Sequence, residues 1–131
     1  NVKRRPFDLI GYSMGGIVSR HYLQRRDGIK QVRRFVTLCS PHHGTILASL
    51  KSKPGAQQMR RNSAFLRDLN ADATSLSKTG FTSIWTPTDL IILPARSSEM
   101  PEAKNIRKWG LGHVTFILEK HGIRTVLKVL E

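Results

Sequence analysis

Apolar residues in this chain fall into short runs separated by Gly, Pro and charged positions, and the spacing within the runs changes along the sequence. Phe7 to Tyr12 is an apolar run of strand length and reads as a buried strand. Gly16 to Gln24 reads as a helix, with Ile17, Val18, Tyr22 and His21 spaced for one turn and the next. Asp27-Gly28 marks a turn, and Val32 to Leu38 (VRRFVTL) after it is rich in β-branched and apolar residues, as a second strand would be. Two strands joined through a helix are expected to run parallel.

The next stretch, Ser40 to Gly55, is punctuated by Pro41, Gly44, Pro54 and Gly55 and reads as loop, with a helical turn at ILASL (46 to 50). Ser63 stands where an N-cap would, ahead of Phe65, Leu66 and Leu69 on one side of a short helix ending near Asn70. Phe81 to Trp85 reads as a third strand, closed by Thr86-Pro87-Thr88-Asp89. After the short apolar run Leu90 to Leu93 come Gly110-Leu111-Gly112-His113, a brief apolar run from Val114 to Leu118, and a closing amphipathic helix with Ile123, Val126, Leu127 and Leu130 at helical spacing. No repeat, low-complexity tract or linker divides the pattern. A single domain over 1–131 is expected, with 44–80 as a variable segment or lid inside it.

Composition sharpens this picture. A chain of 131 residues suits one core that buries roughly two thirds of its unfolded surface. The net charge of +13 is far from neutral. Its clusters are Lys3, Arg4 and Arg5, then Arg25 and Arg26, Arg33 and Arg34, and Arg60 and Arg61. These lie between apolar elements without interleaved aromatics, which weighs against nucleic acid and favours a solvated basic surface; an anionic lipid interface fits the same charge. Cys39 is the single cysteine, which excludes an internal disulfide and a cysteine-based metal cluster. No apolar run approaches the ~20 residues that a membrane-spanning helix needs.

Gly11-Tyr12-Ser13-Met14-Gly15 has the G-x-S-x-G spacing of a strand that turns into a helix so tightly that the serine is held in a strained conformation. Gly11 and Gly15 are expected because a Cβ at either would collide with facing backbone, and Gly16 would allow helix and sheet to approach closely. Such a turn lifts the Ser13 hydroxyl clear of the sheet. It also places the Met14 N–H at a helix start, where an oxyanion is favoured. The expected strand precedes this turn and the expected helix follows it, which points to Ser13 as a nucleophile.

With these residues in view, FDLIGYSMGGIVSRHYL and VTLCSPHHGT resemble the central part of a microbial triacylglycerol lipase or esterase of the α/β-hydrolase superfamily. The resemblance runs on through SIWTPTDLIILP and GLGHVTFIL. It implies an α/β fold, a partial α/β-hydrolase with a mainly parallel sheet and flanking helices whose first strands are missing. It also implies triad partners in the order serine, acid, histidine, no cofactor and no metal, and an ester or lipid substrate.

A serine hydroxyl needs a base to take its proton and a third group to orient that base. Asp89 follows the third strand in a turn, so its carboxylate is expected at a strand's carboxyl end; by resemblance, TDLIILP is where these lipases carry their acid. Asp68 and Asp72 belong to the variable segment, and Glu99 and Glu102 to a polar loop. Of the five histidines, His113 lies downstream of Asp89 in a Gly-flanked loop and matches the family's Gly-His pattern. His21 is expected to pack, His121 to cap a helical turn or stand exposed, and His42 and His43 to shape the loop beside the site.

The resemblance places the first strands, and the loop donating a second oxyanion N–H, upstream of Phe7. A missing N-terminal segment is therefore expected to complete the fold, and without it the first strand would present a bare apolar edge prone to self-association. The resulting expectation is a lipase or carboxylesterase acting through Ser13, Asp89 and His113. An inactive fragment, an acyltransferase of the same fold and a non-catalytic basic binding module are the alternatives.

Overall fold

The computed structural model describes residues 5–131; Lys3 and Arg4 of the first basic cluster lie outside the described residues. Four strands form one parallel sheet in the order β1-β2-β3-β4, with β1 at Phe7–Tyr12, β2 at Val32–Leu38, β3 at Gly80–Trp85 and β4 at Lys104–Arg107. Five helices accompany it: α1 (Met14–Arg25), α2 (Pro54–Gln58), α3 (Ala64–Ala71), α4 (Thr115–Leu118) and α5 (Lys120–Leu130). The three strands expected from the sequence form within one residue of their expected bounds. ILASL at 46 to 50 makes a 3-10 turn, and Ser63 caps α3 by accepting the Leu66 N–H at 3.2 Å.

Both faces of β2 are covered, which is why its apolar run does not alternate with polar residues. On one face Phe35 stacks on Phe81 with ring centroids 4.8 Å apart, and Leu23 of α1, Leu76 and Met100 complete that cluster. On the other, Val36, Leu38 and Ile84 meet Leu111, Phe116 and the inner face of α5. A third cluster, Ile17, Leu66, Leu69, Met59 and Ala48, fixes α3 and the 46–59 segment against α1.

Several elements depart from the sequence pattern. β1 is an edge strand paired only with β2. Phe7 and Ile10 are exposed and only Gly11 is buried, so β1 is not the buried strand its apolar content suggests; nothing among the described residues covers its outer side. In α1 the buried face is Gly16, Ile17, Arg20 and Leu23, whereas Val18 is 61% exposed. The helix is rotated so that Arg20, and not Val18, points inward. In α5 Val126 and Leu130 pack on the core together with Val129, while Ile123 and Leu127 face outward. β4 was not foreseen: KNIR offers one apolar residue, and it becomes a strand by hydrogen bonding to the free side of β3, from Thr82 opposite Lys104 to Trp85 opposite Arg107.

Candidate active site

In a parallel sheet the loops leaving the carboxyl ends of the strands converge on one side. Here Ser13 directly follows β1, Asp89 lies in the loop after β3, and His113 lies in the loop between β4 and α4. Ser13 has φ 53 and ψ −126, a left-handed conformation that an L residue adopts only when its surroundings enforce it. Its N–H bonds to the Leu38 carbonyl at 2.8 Å, and its own carbonyl accepts from the Gly16 N–H at 3.1 Å.

The glycines explain the tightness of the turn, though not in the way their spacing suggests. A Cβ on Gly11 would stand 2.5 Å from the Gly16 Cα, and one on Gly16 would stand 2.0 Å from the Ser40 hydroxyl. A Cβ on Gly15 would meet nothing within 4 Å. The steric demand therefore falls on Gly11 and Gly16. Gly15 faces open space because the chain has already turned into α1 at that point.

Ser13, His113 and Asp89 are brought into one line of contacts. His113 Nε2 stands 3.0 Å from Ser13 Oγ, and His113 Nδ1 stands 2.8 Å from Asp89 Oδ2. The other carboxylate oxygen, Oδ1, accepts the N–H groups of Ile91 at 2.9 Å and Ile92 at 2.8 Å. Burial pushes the Asp89 carboxyl up, but the hydrogen bonds from His113, Ile92 and Ile91 outweigh it and hold the group below its ordinary value. Asp89 is therefore an anion fixed at both oxygens, and the imidazole facing it is held with Nδ1 toward the carboxylate.

Residues that no motif singles out hold this line in place. The Tyr12 hydroxyl donates to the His113 carbonyl at 2.9 Å, and its ring lies 5.1 Å from the imidazole. Thr86 Oγ1 donates to the Leu111 carbonyl at 2.9 Å, and Thr88 Oγ1 donates to the same atom, tying the acid's turn to the histidine's loop. Only the two hydroxyls of the TPTD turn itself could have hinted at this from sequence. Cys39 is also unforeseen here: buried, with φ 48, it has its sulfur within 4.8 Å of the reactive atoms of Asp89 and His113. Burial first, and then the negative charge of Asp89, push the thiol up to about 12, so it stays protonated and uncharged beside the acid.

The remaining candidates stand apart from this line. Gly11 and Gly15 flank Ser13 in the turn, and Met14 is the first residue of α1, where a helix leaves its N–H without an intrahelical acceptor. His42 is buried and His43 exposed. The Arg20 guanidinium can only donate, so the 3.5 Å approach of Nη1 to His42 Nδ1 fixes that nitrogen as acceptor and leaves Nε2–H to face Thr37 Oγ1 at 3.0 Å. Thr37 in turn donates to Ser83 at 3.1 Å. His21 stacks against Phe65, and His121 is exposed in the first turn of α5.

Beside Ser13 a cavity of about 280 Å³ is lined by Met14, Leu47, Ala48, Met59, Ile91 and Ile92, among others. Its walls are mostly apolar side chains from the loop after β2 and the loop carrying Asp89.

Comparison with solved structures places this arrangement. The chain superposes on the crystal structure of the Bacillus licheniformis lipase BlEst2 in mature form with a TM-score of 0.78, over 96% of this chain and at 18% sequence identity. This is a partial α/β-hydrolase fold, a parallel four-stranded sheet with flanking helices. The chain spans 65% of the length of that lipase. A family model described as palmitoyl protein thioesterase matches residues 1–53, the part holding β1, the Ser13 turn, α1 and β2. No curated protein matches the chain. Ligands of open parallel sheets bind outside the carboxyl ends of the strands, and Ser13, Asp89 and His113 follow β1, β3 and β4 at that end in chain order.

Proposed function

We propose that this chain carries the catalytic centre of a serine ester hydrolase, with Ser13 as nucleophile, His113 as general base and acid, and Asp89 as the group orienting the imidazole. The observation that carries the reading is the unbroken line from Asp89 Oδ2 through the His113 ring to Ser13 Oγ, with contacts of 2.8 and 3.0 Å. Ser13 Oγ attacks the ester carbonyl carbon as its proton passes to His113 Nε2, and Asp89 stabilises the imidazolium. The Met14 N–H faces the developing oxyanion. Collapse expels the alcohol with the proton from His113, leaving an acyl group on Ser13. Water, deprotonated by His113, releases the acid and restores the serine.

The apolar cavity beside Ser13 suits the acyl part of the substrate. Of the 44–80 segment, the portion suited to move over this cavity is 46–58, which lines it through Leu47, Ala48 and Leu50. By contrast, α3 is pinned by the buried Leu66 and Leu69 and serves as wall.

A thioester substrate is a second reading, favoured by the thioesterase model that matches the first 53 residues. Both readings share the acyl-enzyme. Labelling with a fluorophosphonate and locating the adduct by mass spectrometry is the decisive experiment: the adduct is expected on Ser13 and absent in Ser13→Ala. Folded protein that takes up no label would overturn the proposal. Comparing kcat/KM for an ester and a thioester of the same acyl chain then separates the two readings.

A further inference from the structure

A larger groove, of about 810 Å³, runs between β4 and α5 and is lined by none of Ser13, Asp89 and His113. Its walls are cationic from both sides. Lys104 and Lys108 stand two positions either side of Ile106 on β4 and just past its end, His121, Arg124 and Lys128 recur along α5, and Arg34, which donates to the Leu130 carbonyl, also lines the groove. Among the described residues none of Lys104, Lys108, Arg124 and Lys128 forms a salt bridge. Among the described residues the one carboxylate in the lining is the half-buried Glu102, whose Oε2 is buried without a hydrogen-bond partner.

Lysines on an edge strand have a common use, since they discourage pairing with another strand. That accounts for Lys104 and Lys108, but not for the cations that α5 sets opposite them. Arg124 and Lys128 are i, i+4 neighbours of like charge, an arrangement that costs helix stability. Two rows of unpaired cations facing each other across a concavity repel until an anion lies between them. We propose that this groove is a binding site for an organic polyphosphate, a small carbon frame bearing several phosphates.

The shape selects among anions. The volume lies in the range of small-molecule sites, and the cations stand on both walls of one concavity instead of spreading over a flat face. No exposed aromatic lines the groove to stack bases, as a single-stranded nucleic acid would require. Lys104 and Lys108 are about 13 Å apart along a strand, and His121 and Lys128 about 10 Å apart along a helix, a span that several phosphates on one small frame would fill. Ile106 and Val129 give the frame an apolar floor, and the Arg124 guanidinium and the lysine ammoniums give its phosphates charge-assisted donors.

Isothermal titration of the protein with inositol hexakisphosphate, with tripolyphosphate as an inorganic comparison, tests this. Saturable binding of one molecule per chain is expected, weakened roughly tenfold for each cation removed in Lys104→Gln and Lys128→Gln. It is expected to be unchanged in Ser13→Ala and in the control pair Lys53→Gln with Arg67→Gln, so failure here leaves the hydrolase reading untouched. Equal weakening by the control pair would reduce the effect to diffuse charge and overturn the site. So would absence of saturable binding by correctly folded protein. Tripolyphosphate binding as tightly as the organic ligand would overturn the carbon frame, and loss of binding to phosphatidylserine vesicles in the groove variants alone would reassign the groove to a membrane.

Discussion

At the scale of single residues, the Ser13 turn shows that a motif and its physical cause need not coincide. G-x-S-x-G names Gly11 and Gly15, yet the close contacts are at Gly11 and Gly16. Gly11→Ala and Gly16→Ala are therefore expected to lower expression of folded protein or to cost several kcal/mol, because rigid neighbours must shift. Gly15→Ala is expected to fold and retain fluorophosphonate labelling, as circular dichroism and labelling of the three variants would show. Asp89 supplies a second test. With both carboxylate oxygens bonded, Asp89→Asn keeps the shape of the turn but presents an amide to His113. Turnover is expected to fall about 10⁴-fold with KM nearly unchanged, and a loss below tenfold in steady-state assays would show that Asp89 does not orient the base.

Among elements, the sequence pattern was most faithful where a local device acts on its own. Ser63 both accepts the Leu66 N–H and donates to the Gln58 carbonyl at 2.6 Å, so Ser63→Ala is expected to cost about 1 kcal/mol in urea unfolding. The pattern was least faithful where an element's role depends on its neighbours. Val18 and Ile123 have the spacing of buried residues and are exposed. β4 has almost no strand signal and is nevertheless a strand, because β3 offers it an unpaired edge. Asp68 and Asp72, set aside as candidates for the acid, instead clamp α3 and the turn after it to Arg25 of α1, with contacts of 2.9 and 2.7 Å.

For the whole molecule, the buried polar chain from Arg20 through His42 and Thr37 to Ser83 links α1, the loop after β2, and the sheet. His42 is held well below its ordinary value, first by burial, then by the positive charge of Arg20 and by His43. The unfolded chain takes up this proton near ~6.5, and the folded protein does not. Below that pH the unfolded state binds more protons, so stability is lost as pH falls, by at most ~1.4 kcal/mol per unit. Melting temperatures between pH 7.5 and 5 are expected to fall more steeply for the wild-type protein than for His42→Gln, and parallel slopes would show that His42 titrates alike in both states.

The sequence by itself determined the strands β1 to β3, the helix after Ser13, the cap at Ser63 and the candidates Ser13, Asp89 and His113. Each of these rests on local chemistry: apolar runs, turn residues and a capping hydroxyl act over a few positions and leave their mark there. Tertiary structure alone decided which side of each helix is buried, that β4 exists, and that Tyr12, Cys39 and the Thr86 and Thr88 hydroxyls surround the His113 loop. It also decided that cations from β4 and α5 face each other across a groove. These features arise between segments far apart in the chain, where burial and hydrogen bonding depend on what the fold brings alongside, and no short stretch of sequence records its eventual neighbours.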